Sequence, residues 1–312
     1  MKTFWITGAR GFIGRHLAKR LAASGHRVAG IGHGTWPANE ASLWGVNYWL
    51  NSDVSSSSLT GMLTETGRPD GIFHFAGGSS VGAALANPLE DFNRTVGSTS
   101  ELLEWMRLFS SNVPLVAVSS AAVYGSGHTD LIPENVRLSP YSPYGTHKLM
   151  MEELCRSYSE NYGLFIALPR LFSVYGPELK KQLLWDTCNK LDACGEAELS
   201  GTGAELRDWT HVADVTAVLE RLIALADATT PAVNVATGRA VSVGEVATEL
   251  ACAWSAESPP SIRFNGKSRP GDPQSLCANV TNLKNLDFAC DASLSEGITE
   301  YVAWFRSLKG RH

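Results

Sequence analysis

The sequence predicts an α/β protein built on a doubly wound parallel sheet, with a smaller lobe formed by its C-terminal part. Three observations carry that expectation. Short apolar runs alternate with amphipathic helical stretches over the first half of the chain. The first run leads into a glycine-rich turn and then a helix. The alternation loosens after Gly176-Pro177.

Residues 2–7 read as a short buried strand. Residues 12–24 have helical periodicity, with Ile13, Leu17 and Leu21 on one face and Gly25 as the stop. Residues 27–31 form a second strand, and 71–75 and 115–119 two more, with a helix over 101–109 between them. The polar run 55–58 reads as a loop or a helix start. A long helix over 144–162 ends at Gly163, and a strand follows over 165–170. Beyond Pro177, helices over 183–191, 212–226 and 243–254 are separated by short strands and Gly/Pro-rich turns. The expected division is 1–176 for the sheet domain and 177–312 mostly for the lobe, with some later segments returning to the sheet. The lobe is expected over the carboxyl edge of the sheet, where open α/β sheets bind their ligands.

A chain of 312 residues can bury a large core, and 44% hydrophobic with 18% charged residues is a globular composition. The net charge of −5 leaves no basic footprint, so nucleic acid is not an expected partner. Cys155, Cys188, Cys194, Cys252, Cys277 and Cys290 are scattered, without a C-x-x-C pair or clustered histidines. Neither a metal site nor a disulfide framework is expected, and buried thiols in a reducing cytoplasm are. Gly8 and Arg10 break the N-terminal apolar run, so it does not read as a signal peptide. No apolar run is long enough to span a bilayer.

Thr7-Gly-Ala-Arg-Gly-Phe-Ile-Gly14 sits between strand and helix, the context of a dinucleotide-binding turn of Rossmann type. Gly8 permits the tight turn, Gly11 lets backbone approach a pyrophosphate, and Gly14 lets the helix pack on the strand. The start of the helix, Phe12 and Ile13 included, then offers free N–H groups to phosphates. The second strand of such folds ends in Asp or Glu when the ribose 2′-hydroxyl of NAD is bound. Here that position is Gly32, followed by His33 and Gly34. No carboxylate there repels a 2′-phosphate, and Arg10 and His33 are candidates to bind one. The expected cofactor is NAD(P), with NADP(H) favoured over NAD(H).

Tyr144-Gly-Thr-His-Lys148 places a tyrosine and a lysine one turn apart on one helix face. Tyrosine titrates near 10 and is a poor acid or base at neutral pH. A lysine ammonium nearby is expected to favour the phenolate and lower that value, allowing proton exchange with a substrate hydroxyl.

With Val118-Ser-Ser-Ala-Ala-Val-Tyr-Gly125 standing between these two motifs, the chain resembles the extended short-chain dehydrogenase/reductase family, in its nucleotide-sugar epimerase/dehydratase/reductase branch. Further motifs carry the resemblance over nearly the whole length: His74-Phe-Ala-Gly77, Arg170-Leu-Phe-Ser-Val-Tyr-Gly-Pro177, Gly201-Thr-Gly-Ala-Glu-Leu-Arg-Asp208, Asn234-Val-Ala-Thr-Gly238 and Arg269-Pro-Gly-Asp272. The resemblance implies that Tyr144 is the catalytic acid/base, that Lys148 binds the nicotinamide ribose, and that Ser120 bonds the substrate oxygen. It implies that Asp53 and Val54 hold the adenine and that Ala76 and Gly77 line the cofactor. It also implies that Arg207 and Arg269 grip the diphosphate of a sugar nucleotide, for which the guanidinium fork is suited. A homodimer is expected from the same resemblance. Three positions depart from the family pattern. Ser173 replaces an Asn that contacts the sugar nucleotide, Thr95 stands where Asn is usual, and Ser200 where an aromatic often stacks on the base.

Family 4,6-dehydratases carry acidic residues between the positions of Ser120 and Tyr124, decarboxylating relatives a Glu, and 3,5-epimerases a Cys. Here Ala121 and Ala122 can neither donate nor accept a proton. By family analogy, what remains is hydride transfer with one proton shuttle at C4 of a hexose. Two reactions fit. A 4-epimerase is suggested by the Ser-Ser-Ala-Ala-Val-Tyr-Gly stretch. An NADPH-dependent 4-keto-6-deoxysugar reductase is suggested by Gly32 with Arg10. The reacting-centre motif tips the reading toward the epimerase. A third reading, a catalytically idle nucleotide-binding protein of the same fold, is opposed by the intact Ser120, Tyr144 and Lys148.

Overall fold

The computed structural model describes residues 1–267 and 273–310, and divides into two compact units. The first comprises residues 1–125, 134–171 and 216–234, and the second 126–133, 172–215 and 235–312.

The first unit is built on an eight-stranded sheet. Its strands are β1 (Thr3–Thr7), β2 (Arg27–Gly32), β3 (Tyr48–Asn51), β4 (Gly71–His74), β5 (Leu115–Ala117), β6 (Ser119–Ser120), β7 (Ile166–Leu171) and finally Ala232–Val235. The order across the sheet is Ala232–Val235, β7, β5, β4, β1, β2, β3, with β6 alongside β7. The pairs β1–β2, β1–β4, β2–β3, β4–β5 and β5–β7 are all parallel. Strand order reverses between β1 and β4. Their carboxyl ends therefore flank the crevice that a doubly wound sheet offers to a ligand.

Both faces are covered, as the near-continuous apolar strands require. On one face Trp5, Ile31, Ile72, Leu115 and Ile166 pack with Leu102, Trp105 and Met106 of the helix Ser98–Phe109 and Met151 of the helix Pro143–Tyr162. The helix α1 (Phe12–Ala23) buries Leu17 and Leu21 outside that cluster. The polar run at 55–58 resolves into a helix start. Ser55 caps the helix Ser56–Thr66 through a capping box with Ser58. Strand β3, only four residues long, was not anticipated from the sequence.

Among its described residues, the second unit contains the helices Gln182–Cys194, Val243–Trp254 and Leu294–Lys309 and three small sheets. Trp185, Trp254, Tyr301, Trp304 and Phe305 cluster there, with Trp185 edge to face on Phe305 and the other pairs tilted. Among the described residues, no helix is long and apolar enough to cross a membrane.

Candidate active site

The turn after β1 is held in a shape that requires glycine at Gly8 and Gly14. Gly8 has φ +72°, and a Cβ there would lie 3.1 Å from the Ala76 nitrogen. Its own N–H donates to the Ile31 carbonyl at 2.7 Å, fixing the turn to β2. A Cβ on Gly14 would come within 2.5 Å of the Gly8 carbonyl, so α1 can close on the turn only without one. Gly11 caps α1 with no side-chain hydrogen bond, and Phe12 and Ile13 open its first turn. The N–H groups of that turn lack a side-chain cap, as a pyrophosphate site needs.

Beneath the turn, Thr7 Oγ1 bonds His74 Nδ1 at 2.7 Å, His74 Nε2 bonds Thr99 Oγ1 at 3.0 Å, and the Ala76 N–H donates to Thr7 Oγ1 at 3.1 Å. Burial, helped by the charge of Lys148, pulls the His74 imidazole down to about 3. It is therefore a neutral strut joining β1, β4 and the helix behind them, a role the sequence reading did not assign.

The Tyr–Lys helix begins at Pro143, in the first-turn position that suits proline, with the Ser142 hydroxyl accepting from the Gly145 N–H at 3.2 Å. It ends at Gly163 in the left-handed conformation (φ +67°). Ser120 ends β6 and caps the short turn Ala121–Val123, accepting from the Ala122 N–H at 3.2 Å. Its side chain also hydrogen-bonds Tyr144. The buried Lys148 Nζ donates to the Val118 carbonyl at 2.9 Å, and Gly77 passes so close that a Cβ there would lie 3.4 Å from that nitrogen. Ser120, Tyr144, Lys148, Ala76 and Gly77 thus meet in one place, with Ala121 and Ala122 buried beside them.

One expectation needs correction. Lys148 does not bring the Tyr144 phenol below its usual value. Burial raises the phenol, the Ser120 hydrogen bond opposes that rise, and the Asp91 carboxylate adds to it. Lys148 itself donates to a backbone carbonyl. Burial also pulls the lysine down to about 8, against Asp91, Glu152 and Cys155.

Behind the pair lies a buried polar network. Arg170 on β7 makes a two-pronged contact with Glu152 at 2.9 and 2.7 Å. Glu152 also accepts from the Ser119 hydroxyl at 2.6 Å and from Arg156 at 2.8 Å. Burial pushes the Glu152 carboxyl up, but Arg170, Ser119 and Arg156 hold it below its ordinary value. Glu152 continues the Tyr144–Lys148 helix face by one more turn, and it ties that face to the strands carrying Ser119 and Arg170.

At the carboxyl end of β2, Arg10 lies against Gly34, and its carbonyl accepts from Arg15 at 2.8 Å. Arg15 stacks over Trp44 at 5.1 Å and Trp36 at 5.8 Å. Asn51 and Trp49 clamp the backbone of Gly34 from β3. His33 is paired with Asp53 at 3.1 Å, both largely exposed. Val54 is buried within the core cluster.

Ser173 and Arg207 belong to the second unit. The Ser173 N–H donates to the Asp208 carbonyl at 2.9 Å, and Arg207 donates to the Pro273 carbonyl at 2.8 Å. Arg269 lies outside the described residues. Among those described, no group of His, Cys, Asp and Glu has metal-binding geometry.

The glycine cradle, the uncapped first turn of α1 and the Ser120–Tyr144 contact fit a nicotinamide dinucleotide. The chain is also similar to known proteins. The family model described as the NAD dependent epimerase/dehydratase family matches residues 4–236. UDP-glucose 4-epimerase 4 of Oryza sativa subsp. japonica is 30% identical over 91% of this chain and 84% of its own length. The UDP-glucose 4-epimerase of Mycolicibacterium smegmatis is 29% identical over 97% of this chain and 98% of its own. The solved structure of MoeE5 in complex with UDP-glucuronic acid and NAD superposes with a TM-score of 0.86 at 29% identity, covering 98% of this chain and 99% of that one.

Proposed function

The chain belongs to the NAD dependent epimerase/dehydratase family, and we propose on that premise that it inverts C4 of a nucleotide-activated hexose. The observation that carries the reading is the Ser120–Tyr144 hydrogen bond, with Ala121 and Ala122 buried beside it and offering no other proton carrier. A bound oxidised nicotinamide supplies a hydride acceptor and a positive charge beside the phenol. Tyr144 removes the C4 hydroxyl proton as the C4–H bond breaks, and returns it when the sugar presents its other face. Ser120 holds the C4 oxygen throughout, and it bonds the phenol before substrate arrives. Lys148, fixed to Val118, holds the ribose hydroxyls and so the distance between cofactor and sugar.

For the cofactor, NADP(H) over NAD(H) is supported by Gly32 at the end of β2, where a carboxylate would repel a 2′-phosphate, and by Arg10 lying against Gly34. The same observation favours a second reading, an NADPH-dependent nucleotide 4-ketosugar reductase in which Tyr144 only donates its proton.

One experiment separates them. Purified protein is offered UDP-, GDP-, dTDP- and CDP-sugars, including 4-keto-6-deoxy forms, with and without NADPH, and products are identified. C4-inverted sugar without added reductant supports the epimerase. Reduction only with NADPH supports the reductase. No product from any donor sinks both.

A further inference from the structure

Asp91 belongs to none of the motifs, yet it is buried beside the reacting residues. It sits on the short helix Pro88–Phe92, which runs directly into a π-helical turn, Asn93–Gly97. Such turns are rare and cluster at functional sites. Its Oδ2 is 2.6 Å from His147 Nδ1. His147 is itself part of Tyr144-Gly-Thr-His-Lys148, one turn from the tyrosine and next to the lysine. Its ring meets Phe92 edge to face at 5.5 Å. The other oxygen of Asp91 presses on Gly78, where any Cβ would overlap it. The Gly78 N–H donates to Thr95 Oγ1 at 2.8 Å, within the π-turn. Asp91 thus ties together the loop after β4, the π-turn and the Tyr–Lys helix.

We propose that Asp91 and His147 form a positioning pair for Tyr144, a buried carboxylate and its proton-bearing partner that together set how readily the phenol gives up its proton. Neither touches the reacting atoms. Asp91 acts through charge, opposing a phenolate at Tyr144 and favouring the ammonium of Lys148. The carboxylate can only accept, so His147 donates from Nδ1 across the 2.6 Å contact and offsets part of that charge.

The surroundings leave little else to play this part. The helix Val81–Ala86 packed alongside carries no ionisable side chain. On Asp91's own segment, Glu90 is paired with Arg94 at the surface. The Tyr–Lys helix brings Tyr144, Lys148 and, a turn further, Glu152, which is committed to Arg170. β4 brings only the neutral His74.

The inference rests on Tyr144 being the proton carrier, so the test has two arms. In the first, the pH profile of kcat is compared in the wild type, Asp91→Asn and His147→Gln. Removing the negative charge moves the limb assigned to Tyr144 about one unit to lower pH, and removing its partner moves the limb to higher pH. In the second, 13Cζ-tyrosine NMR of cofactor-free protein follows the Tyr144 resonance, identified by its loss in Tyr144→Phe. Opposite displacements in the two variants support the proposal. Displacement in the same direction, or none, overturns it, even if both variants lose activity. If Asp91→Asn does not fold, His147→Gln decides alone, and an unmoved or lowered midpoint overturns it. A wild type that turns over no sugar nucleotide defeats the proposed function, and the resonance titration still judges the pair.

Discussion

Gly145 aims its missing side chain at the Ala122 carbonyl, where a Cβ would lie 2.5 Å from the oxygen. That approach lets the Tyr–Lys helix rest on the turn that follows Ser120. Adding a methyl group must separate the two. Gly145→Ala is therefore expected to lower kcat about 100-fold, the cost of moving a catalytic group by roughly an ångström. Overpacking also costs about 1–3 kcal/mol of stability. Steady-state kinetics with urea unfolding measure both, and a variant with normal kcat would remove Gly145 from the argument.

Tyr144→Phe keeps the ring and removes the hydroxyl proposed to carry the proton. Turnover is expected to fall about 10²–10⁴-fold, while cofactor affinity by calorimetry stays within a few fold. Near-normal activity would exclude Tyr144 as the acid/base.

The Glu152–Arg170 pair is buried and closed by Ser119 and Arg156. Glu152→Gln leaves the Arg170 charge without its partner and is expected to cost about 3–5 kcal/mol. The carboxyl is held below its ordinary value, so the unfolded state takes up its proton first as the solution is acidified. Its stabilisation is full above the ordinary carboxylate range and disappears as pH falls through the depressed value. Acid unfolding should therefore be less steep in Glu152→Gln. Parallel acid-unfolding curves for variant and wild type would contradict this account.

Arg10→Ala should weaken NADPH more than NADH. A lost charge-assisted bond to the 2′-phosphate is worth about 1.5–3 kcal/mol, or about 10–100-fold in Kd. Equal losses for the two cofactors, measured by titration calorimetry, would refute the assignment.

Much of the site was legible because its signals are local. The glycines at 8, 11 and 14 lie within one turn, and Tyr144 and Lys148 within one helix. Asp91 was not legible. Its helix is too short to show a period, and its partner His147 lies far along the chain. Glu152 shares the helix face of Lys148, but nothing in the sequence pairs it with Arg170 on β7. The acidity of Tyr144 was misjudged for a related reason. Spacing places a lysine near a tyrosine, but the tertiary structure decides that the lysine bonds Val118 and that the phenol is buried.

His74, with its imidazole pulled down to about 3, keeps a single charge state at every pH at which such a protein is ordinarily handled. His74 therefore brings no change of charge to the crevice between β1 and β4 across the neutral range, and a binding titration there should carry no contribution from it.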